Sequence, residues 1–82
     1  MNMFLEIITP DKKVYKGEVK LVQLPGSKGK FEILNKHAPI ISTLDKGVIK
    51  VVEKSGDEKF FEVDGGVVEN KTNKIIVLVE SA

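Results

Sequence analysis

Apolar residues in this chain come in short runs punctuated by Gly, Pro, Asn and Asp, so that only Val67 to Ala82 has room for an ordinary helix. That stretch ends in the β-branched run KIIVLVE, which favours a strand instead. Val, Ile and Thr together supply 22 of the 82 residues, a composition suited to strand pairing. Turn chemistry divides the chain into Phe4 to Thr9, Val14 to Lys16, Val19 to Leu24, Phe31 to Leu34, Ile40 to Leu44, Val48 to Lys54, Lys59 to Val63, Val67 to Glu69 and Lys74 to Glu80. Pro25-Gly26 suits a type II turn, Ser55-Gly56-Asp57 a tight hairpin, and Asn70 to Asn73 the last reversal.

Alternation along these segments is blurred. In Val48 to Lys54 one face carries Val48, Lys50, Val52 and Lys54 and the other Ile49, Val51 and Glu53, so neither is cleanly wet or dry. Adjacent apolar pairs at Ile7-Ile8, Ile40-Ile41, Phe60-Phe61 and Val67-Val68 point to strands covered on both sides or bending between two sheets. The expected fold is therefore all-β, a flattened β-sandwich of about nine or ten short strands in a single domain over residues 1–82. One member of each apolar pair can belong to the core and the other to a partner-facing patch.

Composition narrows the chemistry. A chain of 82 residues buries only about 60% of the surface it exposes when unfolded, so the core must be economical. The net charge of +1 and sparse aromatics argue against electrostatic nucleic-acid binding, leaving a small β-barrel nucleic-acid module as the alternative reading. The absence of cysteine removes disulfides, thiolate metal sites and cysteine nucleophiles. One histidine and scattered carboxylates offer no metal-binding spacing, and no cofactor is expected. The longest apolar run, Ile75 to Val79, falls far short of the ~20 residues of a membrane-spanning helix, and the start MNMFLEII lacks a signal-peptide pattern.

Two motifs invite sharper readings. Ser42, His37 and Asp45 contain the groups of a hydrolytic triad, but no oxyanion loop or strained nucleophile turn accompanies them. GSKG, residues 26–29, matches the G-x-x-G of nucleotide-clamping loops, yet strands flank it where those loops need helices, so a glycine-rich β-turn is the better reading. No catalytic residue is assigned.

The ordered strings carry a resemblance. "LPGSKGKFEILNKHAPIISTLDKGVIKV", preceded by "LEIITPDKKVYKGEV" and followed by "VDGGVVENKTNKIIVLVESA", resembles the N-terminal domain of the epsilon subunit of the rotary ATP synthase across nearly the whole chain. The resemblance implies a ten-stranded β-sandwich without catalytic residues, a rotor element of the central stalk that docks the gamma subunit onto the membrane c-ring and couples proton flow to ATP synthesis. It implies a place on the cytoplasmic face of a bacterial inner membrane, peripheral and held there only through the complex. Carried over by motif position, Lys28, Lys30, Lys36 and His37 are expected to face the c-ring, and Thr9 and Ser42 to face gamma. Family members commonly continue into a two-helix hairpin, and the resemblance here is to a short form without it. Asn35-Lys36 stands where the family usually has Pro-Gly, and Asn35 is the residue expected to supply any left-handed turn there.

Overall fold

The computed structural model describes residues 3–82. Eight strands account for the regular structure: β1 Met3–Ile8, β2 Lys13–Gly26, β3 Gly29–Leu34, β4 Ile40–Leu44, β5 Gly47–Glu53, β6 Glu58–Val63, β7 Gly66–Lys71 and β8 Lys74–Val79. Among the described residues there is no helix.

All eight strands hydrogen-bond into one ladder in the order β1-β8-β7-β4-β2-β5-β6, with β3 attached to β2. The long β2 folds that ladder back on itself. Its first part, from Lys13 to Val19, pairs with β1, whereas from Leu21 onward it lies between β3 and β5. The register slips between Val19 and Leu21, and such an irregularity bends a strand and sharpens its twist. Gly26, at the far end of β2, pairs with Leu44 of β4 and closes the other side. The result is a sandwich with β1-β8-β7-β4 in one layer and β3-β2-β5-β6 in the other. Its shortest extent of 18 Å accommodates two sheets about 10 Å apart.

Every strand sends at least one apolar side chain into the core. Leu5 and Ile7 of β1, Val22 and Leu24 of β2, Ile33, Ile49, Val51, Val68, Ile75 and Val77 are fully buried. Each such side chain contributes roughly 1.5–3 kcal/mol when removed from water. Tyr15 and Phe61 pack against this core with ring centroids 5.6 Å apart.

The segmentation read from the sequence differs in four places. Val14 to Lys16 and Val19 to Leu24 are parts of one strand, because Gly17 sits within a continuous ladder, opposite Leu5. Pro25-Gly26 closes β2, and the reversal falls on Ser27-Lys28 with Gly26 and Gly29 as its closing pair. The last reversal tightens to Thr72-Asn73, both in the left-handed region at φ 52° and 59°, which matches the twist of a two-residue hairpin. The left-handed residue before His37 is Lys36, at φ 67°, and not Asn35. Gly66 marks the closest approach of β7 to β8: a methyl group there would collide with the carbonyl of Leu78.

Candidate functional site

The apolar pairs resolve into inward and outward members. Ile7 and Val68 are buried and Phe61 and Ile40 half-buried, whereas Ile41, Phe60 and Val67 are exposed. On the outer face of the first layer, Thr43 of β4, Val67 of β7, Leu78 of β8 and Ile8 of β1 form one cross-strand row. The adjoining row is Ile41, Glu69, Ile76 and Glu6. Ile41 is 73% exposed and Leu78 51%, so two large aliphatic side chains stand in water on the same sheet. An open groove of about 530 Å³ runs beside this strip, lined by Ile8, Thr9, Pro10, Val67 and Leu78 among others.

The second layer is different in character. Exposed Phe60 pairs with Lys50 across β5 and β6, and Lys50 Nζ lies 3.7 Å from Glu58. Gln23 donates to Glu32 at 3.3 Å on the same face. Beside these paired charges runs a second apolar row, Leu34, Leu21 and Val52, with Leu34 exposed and Leu21 and Val52 half-buried, which ends on Glu58; the strip on the first layer runs from Val67 through Leu78 to Ile8.

Two polar ends flank β3 and β4. At one, the Ser27-Lys28 turn is tied to β4 and the residue after it: Ser27 N–H donates to the Thr43 carbonyl at 3.2 Å, Thr43 Oγ1 donates to Ser27 Oγ at 2.9 Å, and Ser27 Oγ donates to Asp45 at 3.1 Å. Lys28 and Lys30 stand exposed beside a shallow groove of about 580 Å³ that also takes in Phe31, Ile41 and Ser42. At the other end, residues 35–39 are held by the β7-β8 hairpin. Asn73 Oδ1 accepts the Lys36 N–H at 2.9 Å, and Asn73 Nδ2 donates to Asn35 at 2.8 Å. Asn70 is only 1% exposed, and its Nδ2 donates to the carbonyls of His37 and Ala38 at 3.4 Å each. Its Oδ1 is buried and meets no donor among the described residues. His37 Nδ1–H donates to the Ala38 carbonyl at 2.7 Å, which fixes the orientation of the ring.

The structure thus separates residues that the sequence placed in one group. Lys28 and Lys30 lie at the start of β3, and Lys36 and His37 beyond its end, about 20 Å of extended strand away. Ser42 lines the same groove as Lys28 and Lys30, and its hydroxyl donates to the neighbouring Thr43 carbonyl at 3.2 Å. Thr9 lies at the lip of the apolar groove; its hydroxyl donates to the Lys12 carbonyl at 3.2 Å and accepts the Lys12 N–H at 3.1 Å, fixing the β1-β2 turn. The triad grouping is not assembled, since Asp45 bonds to Ser27 and the His37 ring bonds to backbone at the opposite end of β4.

Among the described residues two titrating groups are perturbed, both by neighbours with ordinary structural duties. Burial first, and then its 2.6 Å donation to Glu53, push the Tyr15 hydroxyl up to about 12. The hydrogen bond from Lys13, 3.0 Å away, holds the Glu6 carboxyl below its ordinary value. Asn70, Asn73, Val67 and Leu78 were not singled out as functional in the sequence. The Val67-Val68 pair signalled the strip without saying which member faces out, and the asparagines read as turn residues.

A double-layered sheet with an unbroken apolar strip outside and two tethered polar ends has the design of a domain that works through the surfaces it offers to neighbours. Residues 2–82 match the family described as "ATP synthase, Delta/Epsilon chain, beta-sandwich domain", and the chain belongs to that family. It is similar to the "ATP synthase epsilon chain" of Campylobacter hominis, with 38% identity over 99% of this chain and 63% of the relative. To the "ATP synthase epsilon chain" of Alkalilimnicola ehrlichii it has 31% identity over 99% of this chain and 58% of the relative. The chain therefore spans about three fifths of the length of these relatives. Among solved structures, a chain of the Euglena gracilis mitochondrial ATP synthase in an OSCP/F1/c-ring assembly superposes with a TM-score of 0.91 at 17% identity, covering 98% of this chain and 51% of that one. A chain of the Tetrahymena thermophila mitochondrial ATP synthase central stalk and c-ring gives 0.77 at 21% identity, covering 96% and 63%. At these identities the likeness concerns the fold.

Proposed function

We propose that the chain is a non-catalytic central-stalk subunit of a proton-translocating F-type ATP synthase, joining the gamma subunit to the c-ring. The observation that carries this reading is the open apolar strip of Val67, Leu78 and Ile8 with Ile41 beside it, set on a stiff double sheet. Such a strip in a family of stalk domains fits burial against a protein partner better than solvation. In this reading the strip, with Thr9 at its lip, meets gamma, and Ser42, opposite buried Val68 and so turned away from the strip, reaches gamma from the groove it shares with Lys28 and Lys30. The free ammonium groups of Lys28 and Lys30 face polar loops of the ring, and Lys36 and His37 extend the footprint along β3. The subunit is then peripheral, on the cytoplasmic face of a bacterial inner membrane.

Gel filtration of the chain with purified gamma subunit tests the docking directly. Co-elution at micromolar concentrations is expected, and Ile41→Lys combined with Leu78→Lys should abolish it while leaving the thermal transition in place, because both side chains already lie in water. Separate elution of the unsubstituted proteins would overturn the reading. Lys28→Glu combined with Lys30→Glu should leave gamma binding intact and weaken proton-coupled ATP synthesis in reconstituted vesicles; unchanged coupling would remove those lysines from the ring contact.

A further inference from the structure

Residues 35–39 cross from one layer to the other; His37 N–H donates to the Leu34 carbonyl at 3.0 Å, Asn70 of β7 holds the carbonyls of His37 and Ala38, and residues 35 and 36 are held by a reversal of chain far away in sequence. Asn73 reads the loop twice, accepting the Lys36 N–H at 2.9 Å and donating to Asn35 at 2.8 Å. The Lys36 backbone sits in the left-handed region at φ 67°, an uncommon state for a non-glycine residue, and the bond from Asn73 engages that same peptide. Asn73 is itself fixed, by the left-handed hairpin at φ 59° and by its own carbonyl, which accepts the Phe4 N–H at 2.9 Å. The side-chain amide therefore projects from a rigid base, and the loop before β4 takes its shape from it.

We propose that Asn73 is a positioning residue: its side-chain amide sets residues 35–39 in the form that docks, separately from any part it plays in holding the fold together. The inference rests on the proposed docking role for its second half only. Fold and positioning are separable at this residue because the backbone at position 73 asks for a left-handed conformation that glycine supplies without an amide. Among the described residues, both bonds of the Asn73 side chain go to the loop.

The test uses the full chain carrying Asn73→Gly or Asn73→Asp. In Asn73→Gly the thermal midpoint should hold or rise, while exchange of the Lys36 amide proton, followed by NMR, accelerates at least tenfold. Asn73→Asp keeps an acceptor for that amide and should restore most of its protection. An unchanged Lys36 exchange rate in Asn73→Gly, or a midpoint that falls in step with the exchange, would overturn the assignment. Binding to the gamma subunit supplies the second readout, with association slowed severalfold in Asn73→Gly because the loop must be ordered at the encounter. Equal association by a variant whose loop is demonstrably loosened would also overturn it. If the unsubstituted chain fails to bind gamma, the docking role is what falls, and the exchange measurements still decide whether Asn73 shapes the loop.

Discussion

The two ends of β3 use the same residue types in opposite ways. At the Ser27-Lys28 end the lysines are free charges on a turn tethered by exposed hydroxyls and one carboxylate. At the 35–39 end, Lys36 matters through its backbone, whose amide is claimed by Asn73, and His37 is held by its own neighbour. A mobile ammonium group adapts to whatever acidic or carbonyl-rich surface it meets, at the expense of salt sensitivity. A loop pinned by buried and half-buried amides presents one shape and loses little freedom on binding. Identical side chains thus serve one end as charge and the other as scaffold.

The comparison breaks most completely if the ends are not joined by a rigid strand. Ile33 lies fully buried in β3 between them, so Ile33→Ala should cost about 2–5 kcal/mol in urea unfolding and loosen both ends together. A loss under about 1 kcal/mol would mean that each end is held locally. A smaller effect sharpens the contrast at the pinned end. Asn70 donates through two bonds at the 3.4 Å limit and buries an Oδ1 without a donor, so Asn70→Val should raise stability by about 1 kcal/mol. The same change should speed amide exchange in residues 37–38. A lowered thermal midpoint would show that the two long bonds outweigh the lone oxygen.

Ser27→Ala at the free end removes two side-chain bonds in water and should cost no more than about 1 kcal/mol by chemical denaturation. A larger loss would make this end as constrained as the other. Tyr15 is remote from both and serves as the reference. Its hydroxyl is raised in the folded state from the ordinary 10.0 to about 12, so the stability it confers is fully present below pH 10 and drains away as pH rises from 10 to 12. Tyr15→Phe should flatten that part of the pH profile and cost roughly 0.5–1 kcal/mol at neutral pH. A profile in Tyr15→Phe as steep as the original would assign the alkaline loss to other groups.

Much of the fold was legible in local chemistry. The Ser55-Gly56-Asp57 hairpin follows from a glycine that sits at φ 100°, and most strand boundaries fall where Gly, Pro and Asn stand. Gly17 misled because glycine also serves inside a strand, here with Tyr15 lying so close that a Cβ at Gly17 would come within 2.9 Å of its hydroxyl. Pro25 misled because its missing N–H is tolerated in the final residues of β2, while its carbonyl accepts the Asp45 N–H at 2.8 Å.

The surfaces were less legible, for a physical reason. Period-two alternation tells which residues share a face but not which face meets water, so Ile41 and Val67 could be placed only by the long-range pairings of β4 and β7. The grouping of Lys28, Lys30, Lys36 and His37 came from motif order, and order along a strand says nothing of the distance that the strand itself imposes. Asn73 could be recognised as a turn former, but its grip on residues 35 and 36 is a contact across half the chain.

The insertion of β8 between β1 and β7, parallel to the former and antiparallel to the latter, has a consequence for biosynthesis. During translation β1 emerges first, yet its neighbour on that side arrives only when residues 74–79 leave the ribosome, several seconds later at ordinary elongation rates. Until then that edge of β1 lies open to any other nascent chain, joined by the edge of β7 once residues 66–71 emerge. Closure of this edge is therefore late, and slowing translation at residues 74–79 should lengthen the window in which a trigger-type chaperone is needed.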